Sequence, residues 1–433
     1  MPSSDVKNAT LLFTGRNIVR FHALRGDPGG RLFGLRPGRD PYPEYERVRA
    51  AGTLVHSRMG LHLTASYDLC NALVRDQRFG VLPAGALSPV DSTAYAADGR
   101  RLVNPVEESF LVRNPPDHTR LRRLVSPWFT PRALRDQVPV IERVVEEFLD
   151  ELSDRPSFDV VDDFAVRVPI KVIAGLLGVP AGDHASFARW GSALVSALDG
   201  VRDMREMRAL HAGLTEFDAF LSDLVEHRRR NPGTDVVSAL ATDDDLARED
   251  LLATTELLLV AGFETTVNLI GNAVLAVLAH PHVRQRLIED DADYADQVVE
   301  ETLRLDPPVQ YTVRVPFQPA EVAGVHLRTG SPVALLLAGA NRDPAVFADP
   351  HRFEPGRENA REHLSFSSGI HYCLGAGLAR IEGAAAVRGL FRRFPDLRAT
   401  GRVQRRPSRV IRGAQHLPVV SGATKRSLEV RNH

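Results

Sequence analysis

The chain has 433 residues, of which 43% are hydrophobic and 25% are charged, as in an ordinary globular protein. Its formal net charge of −1 excludes a strongly basic protein that would bind nucleic acid or an anionic membrane through its overall charge. Two cysteines far apart in the sequence do not form a disulfide framework, so we expect a reducing cytoplasm.

The first 240 residues predict mostly helices. Residues 1–40 are expected to be irregular, because glycines and prolines interrupt them. Helices are predicted over residues 40–51 and 66–76, with a short hairpin over residues 53–64 between them. Residues 80–110 lack periodicity and predict a long loop, and such loops are often functional. Successive helices follow from residue 115, with breaks expected near Pro131, Pro156, Pro180 and Pro232.

The rest of the chain combines helices with a few strands. One long helix is predicted over residues 249–280, and its three polar residues Glu256, Glu264 and Asn268 favour a buried helix over a membrane span. We therefore expect no membrane anchor. Further segments are a helix over 282–305, short strands over 311–338, irregular chain over 341–368 and a last helix over 374–394. The sequence thus predicts one large unit, mainly α with a small β region.

The two cysteines differ in their surroundings. Cys373 lies in a turn with Gly369 and Gly375, directly before the last helix, where helix N–H groups stabilise a thiolate. Glycines at these places permit tight turns and the close approach of a flat ligand. Cys70 lies on the apolar face of a predicted helix, and a structural role is usual for such a cysteine.

The pattern F-x-x-G-x-H-x-C-x-G from Phe366 to Gly375 resembles the haem-binding signature of the cytochrome P-450 superfamily, with Ser367 where many members have glycine. The resemblance covers roughly residues 40–420. It implies about a dozen helices around a buried haem b, with Cys373 as the ligand of the iron, and thiolate ligation favours O–O cleavage. Residues 1–35 have no clear counterpart, so we expect an N-terminal extension of residues 1–35 and a single haem-thiolate domain of residues 36–433.

A second motif, A-G-F-E-T-T, lies in the middle of the long helix at residues 261–266. A glycine within a helix costs about 1 kcal/mol against alanine, which makes sense where space is needed beside the helix. The Thr265 hydroxyl can bond to a carbonyl one turn earlier and open the helix locally. The motif resembles the family's oxygen-activation motif, which implies that Glu264 and Thr265 are catalytic residues that order water and deliver protons. By themselves, a salt-bridged glutamate and a helix-satisfied threonine would give the same pattern.

Glu301 and Arg304 stand three apart on one helix face and resemble the family's E-x-x-R motif. The resemblance implies a buried structural charge network, and we expect Arg352 to complete it.

Four further residues match positions that contact the haem propionates in the family: His118, Arg122, Arg314 and His371. Arginine suits bidentate binding of carboxylates. Two other arginines, Arg120 and Arg123, are expected to face outward near the cysteine and to meet an acidic electron donor.

The resemblance implies an O₂-dependent monooxygenase acting on a small organic substrate, as a monomer, in bacterial natural-product biosynthesis. No flavin or nicotinamide fingerprint occurs in the sequence, so we expect electrons from an external ferredoxin and ferredoxin reductase. Oxidative coupling or cyclisation without oxygen insertion stays open as an alternative. The intact Glu264–Thr265 pair argues against a peroxide-driven peroxygenase and against a haem sensor without catalysis. By family analogy the substrate pocket is lined by residues 80–110, 190–198, 260–261, 309–312 and 410–411.

Overall fold

The computed structural model describes residues 4–82, 93–96, 99–179, 186–187, 189–191, 193, 201–289 and 292–422. Within these residues the chain is mainly helical with small sheets, so the predicted fold class is confirmed. Pro180 lies outside the described residues, and so do residues 83–92 and 97–98 of the predicted pocket segment 80–110 and residues 192 and 194–198 of the segment 190–198.

The helices, numbered along the described chain, are α1 (Ser4–Leu24), α2 (Pro28–Phe33), α3 (Tyr42–Ala51), α4 (Tyr67–Arg75), α5 (Pro105–Glu108), α6 (Asp117–Val125), α7 (Pro131–Leu152), α8 (Arg167–Leu177), α9 (Met204–Arg230), α10 (Val236–Ala241), α11 (Arg248–Ala279), α12 (Pro281–Ile288), α13 (Ala292–Leu305), α14 (Leu337–Ala340) and α15 (Ala376–Arg393). The strands are β1 (Val55–Ser57), β2 (Leu61–Thr64), β3 (Phe79–Gly80), β4 (Ser157–Asp159), β5 (Thr312–Pro316), β6 (Ala320–Val322), β7 (Val325–Leu327), β8 (Val333–Leu335), β9 (Arg398–Ala399), β10 (Gln404–Arg405), β11 (Ala414–His416) and β12 (Pro418–Val420).

The N-terminal segment differs from the prediction. Residues 4–24 form the helix α1, and Leu12 is buried in the main hydrophobic core, so the expectation of irregular chain over residues 1–40 is wrong. The glycine and proline signals lie after this helix. Gly26 has a φ of +75°, and α2 begins at Pro28, capped by the Asp27 carboxylate, which accepts from the Gly30 N–H at 2.9 Å. The division of the chain at residue 35 stays a prediction.

The predicted hairpin forms from β1 and β2, which pair antiparallel with Val55 opposite Leu63. β2 pairs parallel with β8, and the sheet has the order β1-β2-β8-β5-β3. Leu63, Val333 and Leu335 of this sheet are completely buried. The sheet therefore joins the N-terminal part of the chain to the segment that follows the long helix, and it holds β5 in place beside both.

The long helix α11 is buried on nearly every side, which explains why it is apolar around its whole circumference. Among the described residues it is the one helix long and apolar enough to cross a membrane. However, 83% of its most apolar window is buried inside the protein, as in the core helix of a folded domain.

The last helix, α15, packs closely against α7. A Cβ atom at Gly377 would lie 2.5 Å from Leu134 Cδ1, and one at Gly389 would lie 2.9 Å from Leu149 Cδ1. Small residues thus bring the two helices together. Because α15 is fixed in this way, the turn that carries Cys373 is fixed at its N-terminal end.

Candidate functional site

The cysteine turn is tightly folded before α15. The Cys373 N–H donates to the Phe366 carbonyl at 2.9 Å, and the Tyr372 N–H donates to the Gly369 carbonyl at 3.1 Å. Gly369 has a φ of +68°, and a Cβ atom there would lie 2.7 Å from the Val74 carbonyl oxygen. Glycine is therefore required at position 369 by both the conformation and the close approach of α4.

Two other positions in this turn behave differently. Ser367 has a φ of +59°, a left-handed value that glycine adopts without strain, so glycine would suit this position equally well. Gly375 has an ordinary φ of −85°, so the backbone does not require glycine at that position.

The Cys373 side chain is accessible although protein surrounds it. Burial raises the pKa of its thiol, whereas the Gly375 N–H, Arg122 and Arg380 act in the opposite direction. These donors offset part of the rise, and a bound cation would favour the thiolate further. Cys70 is fully buried, its sulfur lies 3.7 Å from the Thr64 carbonyl oxygen, and burial raises its pKa as well. Cys70 has the surroundings of a structural cysteine, as predicted.

The four predicted propionate contacts come together beside this turn. The rings of His118 and His371 lie 4.2 Å apart between centroids. Arg122 Nη2 donates to the Tyr372 carbonyl at 2.6 Å. Arg314, only 3% exposed, donates to a hydroxyl and a carbonyl of its own strand β5 and acts electrostatically on His371. The structure therefore gathers residues from α6, β5 and the cysteine turn at one place.

The two histidines of this cluster are neutral at pH 7. Burial lowers the pKa of His371 to about 3, with further lowering by Arg314, His118 and Arg122. Burial and Arg122 also lower the pKa of His118. Burial lowers the pKa of Arg314 to about 10, which leaves it protonated. The resemblance implies basic side chains at these positions, but only the two arginines carry charge, while the imidazoles offer neutral N–H donors.

This cluster fits haem b. Neither ring nitrogen of His118, nor Nε2 of His371, has a hydrogen-bond partner among the described residues. Neither Arg122 nor Arg314 forms an ion pair within that part of the chain. Buried polar groups are nearly always partnered in folded proteins. Two imidazoles with unpartnered nitrogens and two arginines without a carboxylate partner, all beside an accessible cysteine, suit a ligand that bears carboxylates, such as the propionates of haem.

The second predicted motif lies on the one accessible stretch in the middle of α11. Between Asp250 and Val274 every residue is buried except Ala261, Gly262 and Thr265, which share one face of the helix. The Thr265 hydroxyl donates to the Ala261 carbonyl at 2.9 Å, as predicted. The helix nevertheless continues without a break from residue 248 to residue 279, so the expected local opening does not occur.

The acid of this motif is turned toward a residue that the sequence did not single out. Glu264 is 3% exposed, and its Oε1 lies 2.5 Å from Arg406 Nη1. Burial raises the pKa of Glu264, while Arg406 and Asn268 counteract that rise. A run of arginines over residues 402–412 was the available signal for Arg406. Local spacing could not show which of them reaches α11.

The structural charge network forms, but with a different third member. Arg304 and Glu301 are fully buried and pair at 2.8 Å. The expectation for Arg352 is wrong, because its side chain is exposed and only its carbonyl accepts from Arg304, at 3.0 Å. Arg357, with 7% of its side chain exposed, takes that place, since its Nε lies 3.5 Å from Glu301 Oε1. The chain turns over residues 349–356, and this turn places the side chain of Arg357, not that of Arg352, against the buried pair.

Two further predictions have structural outcomes. Val309 and Ile411 form an isolated β-bridge, so the predicted pocket segments 309–312 and 410–411 are neighbours. On α6, Arg123 is exposed as expected. Arg120 is exposed as well, but it is held in an ion pair with Asp250 of α11.

Comparison with known proteins agrees with this arrangement. The family model described as cytochrome P450 matches residues 204–396. The chain is 37% identical over 395 residues to the cytochrome P450 monooxygenase PikC of Streptomyces venezuelae, covering 88% of this chain and 91% of that protein. The crystal structure of P450BioI in complex with an acyl carrier protein ligated to hexadec-9Z-enoic acid superimposes with a TM-score of 0.80 and 33% identity, covering 88% of this chain and 98% of that one.

A further solved structure is that of the cytochrome P450 enzyme CxnD, described as acting in C–S bond formation in chuangxinmycin biosynthesis. It has a TM-score of 0.79 and 27% identity, covering 88% of this chain and 94% of that one. From the coverage and identity of these relatives, the chain belongs to the cytochrome P450 family and is a haem b monooxygenase.

Proposed function

We propose that this monooxygenase inserts one oxygen atom of O₂ into a small organic substrate, with Cys373 as the iron ligand and with Glu264 and Thr265 supplying protons. The observation that carries the proposal is the interrupted burial of α11. Ala261, Gly262 and Thr265 alone are accessible along its central turns, and the buried acid Glu264 stands directly beside them.

The residues around Cys373 hold the cofactor in this proposal. Arg122 and Arg314 neutralise the propionates, and His118 and His371 donate neutral hydrogen bonds to them. The Gly375 N–H and Arg122 stabilise the Cys373 thiolate. When bound, haem b supplies the iron that activates O₂.

Proton delivery starts from Glu264 in this account. Because its pKa is raised, Glu264 keeps its proton to a higher pH than an ordinary carboxyl does, which suits a proton donor. The carboxylate of Glu264 is paired with Arg406, so in this proposal it exchanges that partner before it serves the accessible face of α11. Thr265 donates to Ala261 at rest and can turn its hydroxyl to water on that face.

The alternative outcome, bond formation without oxygen insertion, is supported by one relative, since CxnD is described as forming a C–S bond. The two reactions diverge after hydrogen abstraction from the substrate. Product mass separates them, because insertion adds one oxygen atom whereas coupling removes two hydrogens.

The setting we propose is natural-product biosynthesis in a bacterial cytoplasm, in line with the biosynthetic role given for CxnD. A ferredoxin and its reductase supply the electrons to a monomeric enzyme. Ile370 and Tyr372, which are 48% and 42% exposed, flank the cysteine turn, and Arg123 lies on the neighbouring helix α6. We assign the docking of an acidic ferredoxin to this surface, without Arg120, which is already paired with Asp250.

The experiment that tests the proton role compares neighbouring threonines. Thr265→Ala should consume NAD(P)H at a comparable rate, while product falls and hydrogen peroxide rises. Thr266→Ala is the matched control, because its buried hydroxyl makes the same kind of bond, to the Gly262 carbonyl at 3.1 Å. Glu264→Gln should slow the whole cycle by about 10²–10⁴-fold, the usual range for a general acid. Wild-type product yield and rate in both Thr265→Ala and Glu264→Gln would make the pair structural.

A further inference from the structure

A shallow cleft, with about 490 Å³ of empty space that includes open solvent, lies next to the ion pair of Glu264 and Arg406. One wall is the segment of residues 32–41, which connects α2 to α3. The other wall is formed by residues 405–413, and Gln310 and Tyr311 lie between the walls. The cleft thus adjoins both the acid of α11 and the predicted pocket segment 309–312.

The walls of this cleft carry an excess of positive charge. The lining includes six arginines, at positions 36, 39, 405, 406, 409 and 412. Three carboxylates pair with some of them. Asp306 lies 2.7 Å from Arg412 and 3.6 Å from Arg405, Asp40 lies 3.9 Å from Arg412, and Glu264 pairs with Arg406. Leaving Arg409 aside, five arginines against three carboxylates leave an excess of two positive charges.

Part of this excess is available to a ligand. Arg36 and Arg39 are exposed at the rim and form no ion pair among the residues that the structure describes. Deeper in the cleft, the Arg406 side chain is 14% exposed, and its Nε has no hydrogen-bond partner in the described chain. The buried Nε–H of Arg406 is therefore available to a ligand while Nη1 stays paired with Glu264.

Much of the remaining lining is apolar or aromatic, with Gln310 and Ser408 as polar exceptions. Leu32 and Leu35 lie on the first wall, and the rings of Phe33 and Tyr311 meet edge to face at 5.6 Å between centroids. A ligand that fills the cleft thus meets arginines on both walls together with hydrocarbon and aromatic rings. This combination fits an amphipathic molecule with one anionic end.

We propose that the cleft binds the anionic group, a carboxylate or a phosphate, of an amphipathic substrate, with Arg36, Arg39 and Arg406 as its recognition residues. This names the substrate class of the monooxygenase and so rests on the proposed function. Guanidinium groups match both anions through paired N–H donors. The bound group lies beside the ion pair of Glu264 and Arg406. Arg406 therefore contacts both the substrate anion and the carboxyl group that supplies protons.

The test is isothermal titration of the haem-loaded protein at low salt with octanoate, octyl phosphate and 1-octanol. At least one anion should bind about 10–100-fold more tightly than the alcohol, as expected for charge-assisted hydrogen bonds. In the double variant Arg36→Gln/Arg39→Gln this preference should fall at least about fivefold. Arg402→Gln removes an exposed arginine outside the cleft and should leave the preference unchanged.

Each outcome of this titration has a meaning. A preference for octanoate or for octyl phosphate identifies the anion that the cleft selects. Equal binding of the alcohol and both anions would overturn the proposal, and so would a preference that survives in the double variant. Because binding is measured without turnover, a failure of oxygen insertion would show separately, as NAD(P)H consumption without a modified product.

Discussion

Replacing Arg304 with alanine should destabilise the protein severely. Arg304 is completely buried and donates five hydrogen bonds. Two reach the Glu301 carboxylate at 2.8 Å each. The other three reach the carbonyls of Asn341, Pro350 and Arg352 at 2.9, 2.9 and 3.0 Å. One guanidinium therefore ties α13 to the irregular chain that leads to the cysteine turn.

Without this side chain, Glu301 remains buried with only the Glu354 N–H at 2.9 Å and Arg357 at 3.5 Å. Removing one partner of a buried ion pair costs about 3–5 kcal/mol. The total stability of a folded protein is about 5–15 kcal/mol, so Arg304→Ala should remove about a fifth of it or more. The loosened segment should also retain haem poorly.

Urea unfolding of the haem-loaded protein and the haem content after purification measure these effects. Arg352→Ala is the matched control, because the exposed side chain is removed while the carbonyl that accepts from Arg304 stays. That variant should lie within about 0.5 kcal/mol of the wild type. The reasoning is refuted if Arg304→Ala unfolds within 1 kcal/mol of the wild type, or if Arg352→Ala is the more damaging change.

Three other predictions concern single side chains. Arg314→Gln should release haem to apomyoglobin about 10–100-fold faster than the wild type, because a buried charge-assisted donor is lost. The control Arg328→Gln changes an exposed arginine and should release haem at the wild-type rate. Equal rates in the two variants would remove Arg314 from the cofactor site. Burial raises the pKa of Glu382 from 4.5 to about 8, so the native state holds a proton that the unfolded chain releases, and its contribution to stability falls as pH rises between those values. Glu382→Gln should therefore gain stability over the wild type from pH 5 to pH 8.5 in urea unfolding, and a constant difference would contradict this. Arg123→Glu should slow reduction by an acidic ferredoxin at low salt without changing substrate affinity, and unaffected reduction would place the docking surface elsewhere.

Features with strong local signals could be predicted from the sequence. The long apolar run gives α11 within one residue at each end, and the glycine-flanked turn before α15 gives Cys373. The hairpin of β1 and β2 also follows from local alternation. In each case the residues that determine the structure are close in sequence.

Features that depend on distant contacts could not be predicted. The helix α1 was missed because glycine and proline at residues 26–28 dominate the pattern around it. The place assigned to Arg352 belongs to Arg357, since the path of an irregular turn decides which of them reaches Glu301. The pairing of Glu264 with Arg406 and the neutrality of His371 both follow from burial and three-dimensional neighbours.

The central claim is that the Cys373 thiolate binds the haem iron, and the absorption spectrum of the reduced carbon monoxide complex tests it most directly. The wild type and Cys70→Ser should show the red-shifted band that is characteristic of thiolate ligation, because Cys70 is buried with its sulfur beside the Thr64 carbonyl and is inaccessible to a ligand. Cys373→Ser should lose that band. Persistence of the band in Cys373→Ser, or its loss in a well-folded, haem-loaded Cys70→Ser protein, would contradict the account.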